Sequence, residues 1–218
     1  MPVPTKSPSS DPPEYNKAKS RTPPRQKLVF TTTSTRNVVI SNSSDVIFYE
    51  IVTPRWEKHL TKISRLDPNT KLFDQIAEFQ NEKGKPVALR MYGGPLVQTK
   101  DFLRVDEYDA GSGSGSSSTS SESLNVGKSA SFRGKDGKKY TWRIRHKTLE
   151  LFREDMPANQ PIATYHKEKR YLYVLRMSQY PYLEIDYDAM DTLDTLIISF
   201  LLIERRRRDG DGDEDGND

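Results

Sequence analysis

Hydrophobic and polar residues alternate in many short stretches between positions 27 and 185, as expected for strands with one buried face. The clearest stretch follows Asp136-Gly137, a dipeptide that favours a tight hairpin turn. In the returning strand Tyr140, Trp142 and Ile144 share one face. The predicted strands are 27–32, 38–40, 45–52, 60–66, 72–80, 87–92, 132–134, 139–147, 149–152, 162–165, 171–175 and 182–185. Short strands at roughly ten-residue spacing indicate a sandwich or a barrel.

The C-terminal stretch DAMDTLDTLIISFLLIERRRR has the spacing of a helix, with apolar residues recurring at intervals of three and four from Leu193. From Leu196 to Ile203 only Ser199 is polar, so this helix is apolar on every face and needs burial on every face. A lipid span needs ~20 apolar residues, and an aspartate near the bilayer centre costs roughly 2.5–3.5 kcal/mol. Because Asp194 lies in the stretch, we predict no transmembrane span and place the helix inside the sheet.

The DGKKYTW hairpin and the closing segment YLEIDYDAMDTLDTLIISFLLIERRRR resemble an uncharacterised family of fungal domains, chiefly from mushroom-forming fungi (basidiomycetes). The resemblance covers about Leu28 to Arg208, and the apolar helix followed by Glu-Arg-Arg-Arg is its most specific part. That family looks like the tubby C-terminal and LURP-one type of fold. The resemblance therefore implies a mainly β chain, a closed barrel of about ten to twelve antiparallel strands around a buried C-terminal hydrophobic helix. It implies no established activity.

One domain is predicted at residues 27–208, with three polar segments in or beside it. Residues 1–26 contain seven prolines and predict a disordered arm, and no apolar run of a signal peptide follows Met1. Residues from about 109 to 131 are rich in Gly and Ser and predict a flexible insertion, although a linker between two domains is an alternative. Residues 209–218 carry six acidic groups and predict a disordered tail.

Composition narrows the classes of function. The 218 residues include no cysteine and three histidines, which excludes disulfide scaffolds, thiolate metal sites and cysteine nucleophiles. The net charge of +3 divides into +3 for residues 1–26, +6 for 27–208 and −6 for the tail. A folded part this mildly basic argues against a dedicated nucleic-acid-binding domain. The chain has neither a G-x-S-x-G nor an H-E-x-x-H motif, so we predict a non-enzymatic domain with no cofactor and no metal site.

Basic residues in the second half form the candidate binding surface. They lie on the hairpin and on one face of the strand after it: Lys135, Lys138, Lys139, Arg143, Arg145 and Lys147. Such a surface can meet the headgroups of an anionic membrane. Tubby-like domains bind phosphoinositides, so the resemblance implies the same class of partner, although no lipid motif of that family can be placed on these residues. A solvated face without a ligand is the alternative interpretation of the same residues.

A protein–protein interaction module without a lipid role is the second predicted function, with the Pro-rich arm and the acidic tail as its contacts. Either function places the chain in the cytoplasm or at the surface of a membrane. The run Arg205–Arg208 could also act as a nuclear signal, but the acidic tail that follows would mask its charge.

Overall fold

The computed structural model describes residues 25–42, 47–107, 128–146, 148–170 and 178–211. Outside these ranges lie most of the predicted arm and insertion, residues 212–218, the predicted strand 171–175 and the candidate site residue Lys147. The prediction of a mainly β chain with a C-terminal helix is confirmed in the described part.

The elements follow one another in this order. The strands are β1 (Gln26–Phe30), β2 (Val38–Asn42), β3 (Ile47–Val52), β4 (Leu60–Leu66), β5 (Phe73–Glu82), β6 (Lys85–Met91), β7 (Leu96–Gln98), β8 (Arg104–Glu107), β9 (Lys128–Arg133), β10 (Lys139–Arg145), β11 (Thr148–Arg153), β12 (Ala163–His166), β13 (Lys169–Arg170), β14 (Ser178–Gln179) and β15 (Tyr182–Ile185). Helix α1 (Thr99–Phe102) lies between β7 and β8, and a 3-10 helix (Tyr187–Thr192) leads into α2 (Leu193–Asp211).

In the part of the chain that the structure describes, thirteen strands form one antiparallel sheet in the order β7-β6-β5-β4-β3-β2-β1-β15-β12-β11-β10-β9-β8, and β13 pairs separately with β14. In the middle of the sheet the first strand of the domain lies beside the last one, because β1 pairs with β15 at Leu28 and Leu183. Alternation decides which face is buried: Tyr140 and Trp142 of β10 face the core, whereas Thr141 and Arg143 do not. The apolar face predicted for this strand is therefore confirmed at both of these positions.

The two edge strands, β7 and β8, are consecutive along the chain, with only α1 between them. Within the described residues no ladder joins β7 to β8, so the prediction of a closed barrel is wrong at the level of hydrogen bonding and the sheet is open. The reason is local. Leu103 N–H donates to the Thr99 carbonyl at 2.9 Å, and the Thr99 hydroxyl donates to the Pro86 carbonyl at 3.1 Å. The Leu103 N–H is thus bonded within the helical turn, and the Thr99 side chain ties that turn to β6.

Helix α2 lies against the inner face of the sheet. Phe30 of β1 and Tyr165 of β12 pack on Phe200, with ring centroids 5.3 and 4.7 Å away. Every residue from 196 to 203 is buried, which confirms that protein encloses the apolar helix. None of the helices in the described ranges is long and apolar enough to span a membrane.

Two predicted boundaries move. Strand β9 begins at Lys128, so the last residues of the predicted insertion form a strand, and the small side chains of Ser129, Ala130 and Ser131 are buried there. Helix α2 continues to Asp211, three residues into the predicted tail. The short elements β7, α1 and β8 have no predicted counterpart, because three or four residues carry too little periodicity.

Candidate anion-binding site

Four consecutive arginines follow the buried part of α2. Successive residues of an α-helix are turned by about 100°, so four in a row cannot all face solvent. Arg205 comes one turn after the buried Leu201 and projects from the same side of the helix. Only 4% of its surface is exposed.

Contacts from the β1–β2 loop and from β5 fix the guanidinium of Arg205. Its Nη2 donates to the Thr35 carbonyl at 2.7 Å, and its Nη1 donates to Asn81 Oδ1 at 3.3 Å. The group also lies 5.2 Å from the centre of the Phe79 ring, within the range of a cation–π interaction. A charge held at low exposure acts through a lower effective dielectric than a surface charge, so it attracts an anion more strongly.

The loop between β1 and β2 brings a second guanidinium to this place. The N–H groups of Arg36 and Asn37 both donate to Ser34 Oγ, at 3.1 and 3.3 Å, which folds the loop into a compact turn. Arg36 Nη2 donates to the Gly84 carbonyl at 2.9 Å. Gly84 has φ +82°, a left-handed conformation that glycine adopts more readily than other residues, so glycine favours the turn beside this arginine.

A buried carboxylate positions the third guanidinium. Glu204 is 1% exposed, and its Oε1 accepts from Arg208 Nε at 3.0 Å. The same carboxylate accepts from Arg207 Nε at 2.8 Å and Arg207 Nη2 at 2.7 Å. Two arginines on one carboxylate leave this cluster with positive charge.

Together these groups line a pocket of about 200 Å³ beside the arginine-bearing part of α2. Its lining residues are Ser34, Thr35, Arg36, Gly84, Arg205 and Arg208, which we call the arginine pocket. Three guanidinium groups and no carboxylate stand in this lining. Guanidinium presents a planar fork of donors that matches the oxygen pairs of a phosphate, so the lining suits a small polyanionic group.

The hairpin lysines of the predicted site each have a different environment. Lys138 Nζ forms an ion pair with Asp155 at 2.7 Å, and this bond, followed by that from Arg153, lowers the pKa of the Asp155 carboxyl below its ordinary value. Lys135 is exposed and donates its backbone N–H to the Thr192 hydroxyl at 3.2 Å. Lys139 lines a pocket. The role predicted for these three lysines in binding stays a prediction.

Arg143 and Arg145 lie further along β10, on the outer face of the sheet. Their guanidinium groups stand 5.3 and 5.4 Å from the centre of the Phe152 ring, which is buried beneath them. Both arginines thus cover an aromatic side chain. The role predicted for these residues and for Lys147 in binding stays a prediction.

Lys139 lines a larger pocket of about 400 Å³ near the gap between the sheet edges. Arg104 and Arg133 add two further cations, and Phe102 and Phe132, stacked with ring centroids 6.1 Å apart, are also among its lining residues. Asp101 lines the same pocket, and its carboxylate opposes the binding of an anion. The arginine pocket is therefore the better anion site.

A different polar cluster lies at the first turn of α2. Asp194 accepts hydrogen bonds from the hydroxyls of Tyr49 and Tyr92 at 2.7 and 2.6 Å and from Arg65 at 2.7 Å. Burial, together with the negative charge of Asp194, raises the pKa of Tyr49 far above its ordinary value. The carboxylate has three donors and stands at the positive end of the helix, so the cluster anchors the helix to the sheet. Across the described ranges no group of three or more His, Asp or Glu is arranged to hold a metal ion.

Sequence reasoning missed the arginine pocket. It treated Arg205–Arg208 as one charge run, although the helical turn that buries Leu201 also directs Arg205 inward. That spacing is the signal that could have found it. Nothing in the sequence pattern places Arg36, since a loop of Thr, Ser and Asn has no periodicity.

These observations define a class of protein: an antiparallel β domain that buries its C-terminal helix and opens an arginine-lined pocket beside it. The chain belongs to the family of unknown function DUF6593, whose family model matches residues 33–209. The match includes all six residues of the arginine pocket. Comparison with curated proteins and with solved structures finds no match.

Proposed function

We propose that this domain is a non-enzymatic binding module that takes the phosphate groups of an anionic lipid headgroup into the arginine pocket. The convergence of Arg36, Arg205 and Arg208 on one pocket without a carboxylate in its lining is the observation that carries the proposal. A volume of about 200 Å³ is below the range of about 300–1,000 Å³ typical of sites for drug-sized ligands, so it suits a headgroup phosphate better than a whole metabolite.

The geometry supports a site that is formed before the ligand arrives. Arg205 is fixed by Thr35 and Asn81, Arg36 by Gly84, and Arg208 by Glu204. Side chains that are already ordered lose little rotamer entropy on binding. Anion binding therefore requires no rearrangement of the sheet.

We also propose that the fold is tubby-like and that the family is the fungal one that the sequence resembles. In support, β7 and β8 run in the same direction on either side of α1. Counted as one interrupted strand, they reduce the thirteen strands to twelve positions around α2. The corresponding location is the cytoplasm, with reversible binding to the membrane surface.

Vesicle sedimentation tests the function. The full chain is mixed with phosphatidylcholine vesicles with and without phosphatidylinositol bisphosphate, and calorimetry measures the binding of free inositol trisphosphate. We expect binding only to the doped vesicles, weakening as salt rises. Arg36→Gln with Arg208→Gln should weaken both vesicle and trisphosphate binding by at least about tenfold, because two charged hydrogen-bond donors are lost.

Lys135→Gln with Lys139→Gln is the matched control, since it removes the same charge from the hairpin. A loss confined to this control would return the headgroup to the surface first predicted from the sequence. The absence of binding to any anionic vesicle and to the trisphosphate would exclude the proposed function.

A further inference from the structure

Trp56 is 88% exposed, the most exposed of the large hydrophobic residues that the structure describes. It stands in the loop Pro54-Arg55-Trp56-Glu57-Lys58-His59 between β3 and β4. A single exposed apolar residue needs no explanation by itself. The surroundings of Trp56, however, indicate a function for its exposure.

The loop that carries Trp56 is ordered by its backbone. Glu57 N–H donates to the Pro54 carbonyl at 3.1 Å, and Leu60 N–H donates to the Glu57 carbonyl at 2.9 Å. Asn81 N–H donates to the His59 carbonyl at 2.7 Å, which ties the end of the loop to β5. The indole is therefore presented to solvent on a fixed turn.

The same loop is attached to the arginine pocket. Thr53 Oγ1 donates to the Arg36 carbonyl at 3.1 Å, and Thr53 N–H donates to Asn37 Oδ1 at 2.9 Å. Arg36 in turn reaches Gly84 in the β5–β6 turn. Residues 31–37, 53–59 and 83–84 thus form one end of the molecule, which we call the basic end.

Charge on the basic end favours one kind of partner. Its three loops contain four basic residues, Arg36, Arg55, Lys58 and Lys83, against one acidic residue, Glu57. Glu57 is itself 3.6 Å from Lys62. The core of a protein–protein interface is depleted of charge, whereas a tryptophan among lysines and arginines matches the boundary between anionic headgroups and acyl chains.

We propose that the basic end is the membrane-docking surface and that Trp56 enters the interfacial layer while the arginine pocket holds a lipid phosphate. This inference rests on the proposed function and identifies the phosphate as membrane-borne rather than free. Tryptophan suits the role, since its ring is apolar and its N–H can stay in the hydrated layer. The arginines attract the headgroups. The indole contacts the interfacial layer of the membrane, which is absent when the headgroup is free in solution.

Trp56→Ala tests the inference in the vesicle and calorimetry assays. We expect a loss of at least about tenfold in affinity for phosphatidylcholine vesicles doped with phosphatidylinositol bisphosphate, since burial of an aromatic ring is worth that much. Affinity for free inositol trisphosphate should stay unchanged. Tyr187→Ala is the matched control, because Tyr187 is also exposed, at 62%, but lies before the N-terminal end of α2.

A fluorescence measurement tests depth directly. Trp142 is fully buried, so a change of emission on vesicle addition reports Trp56. Quenching by phosphatidylcholine with brominated chains should occur in the native chain and disappear in Trp56→Ala.

Three results would overturn the inference. Unchanged vesicle affinity in Trp56→Ala with intact trisphosphate binding would show that Trp56 does not enter the membrane and that the arginine pocket binds the lipid without it. Trp56→Ala that loses a protein partner but not vesicles would assign the indole to a protein contact. If the chain binds neither the vesicles nor the trisphosphate, the proposed function is wrong, and the inference that rests on it is wrong as well.

Discussion

The indole N–H of Trp142 donates a 3.0 Å hydrogen bond to Ser199 Oγ, across 57 residues of sequence. Ser199 in turn donates to the Leu196 carbonyl at 2.8 Å within the helix. Both side chains are fully buried. The single polar residue in the apolar run of α2 therefore satisfies the single polar group of the largest core side chain.

Ser199→Ala should lower the free energy of unfolding by about 1–3 kcal/mol, because it leaves the indole N–H buried without an acceptor. Urea denaturation followed by circular dichroism measures the change. Thr33→Ala, at an exposed position of the β1–β2 loop, is the control and should have no effect. A loss no larger than that of the control would show that the indole finds another acceptor.

The contact between Trp142 and Ser199 shows how much of the fold can be predicted from the sequence. Alternation places Trp142 on the buried face of its strand, and the composition of the helix marks Ser199 as its one polar residue. Neither pattern says that the two meet, because the contact depends on the curvature of the sheet around the helix. The same curvature brings Arg36, Gly84 and Arg205 together, and no local signal encodes it.

The open edge of the sheet has a similar explanation. The family resemblance implied a closed barrel, but β7 has three residues and is followed at once by a helical turn. A segment that short gives no periodicity to analyse. The hairpin lysines were grouped by proximity along the chain, and that grouping does not show that Asp155 forms an ion pair with Lys138.

Asp194 should contribute to stability through its three donors. Asp194→Ala leaves the Tyr49 hydroxyl buried without an acceptor and should cost more than Asp194→Asn, in which the amide oxygen still accepts. We expect a difference of about 1–3 kcal/mol in urea denaturation. Tyr49→Phe in the Asp194→Ala background should recover part of the loss. If it makes the loss larger, packing rather than the orphaned hydroxyl explains the effect.

Alkaline pH should destabilise the fold through its tyrosines. Burial raises the pKa of Tyr165 to about 12, with a smaller contribution from the charge of Glu204, and burial also raises the pKa of Tyr49. The folded state favours the neutral phenol, so this stability is complete below the ordinary tyrosine pKa of about 10 and is lost as pH rises above it.

Tyr49→Phe isolates one of these groups. Above pH ~10 each tyrosine that ionises only when unfolded contributes about 1.4 kcal/mol of lost stability per pH unit. The variant should therefore lose stability less steeply by that amount, measured by urea denaturation in a pH series. Tyr187→Phe, at an exposed position, should keep the slope of the native chain. Equal slopes in all three proteins would contradict the burial of the Tyr49 hydroxyl.

Gly134 should tolerate no side chain. A Cβ there would lie 2.6 Å from each of three atoms, which belong to Asp136, Thr192 and Tyr140. Thr192 is buried and Tyr140 is in the core, so neither can give way cheaply. Gly134→Ala should cost about 1–3 kcal/mol in urea denaturation, the usual range for overpacking. Gly137→Asn is the contrast, because φ is +77° there with open space around it, and asparagine accepts that conformation. A cost at Gly134 no larger than that at Gly137 would mean that the neighbouring side chains move aside for the new Cβ.

Glu204 joins stability to anion binding, and its removal should change the two in opposite directions. Glu204→Gln keeps the shape of the side chain but takes the negative charge from Arg207 and from Arg208, a lining residue of the arginine pocket. The free energy of unfolding should fall by about 1.5–3 kcal/mol, the worth of hydrogen bonds to a charged group. Affinity for free inositol trisphosphate should rise, because a carboxylate beside the pocket no longer repels it. Glu150→Gln, on β11, makes the same change of net charge and should alter neither quantity. A variant that loses stability with no gain in affinity would show that Glu204 holds the helix end without tuning the pocket.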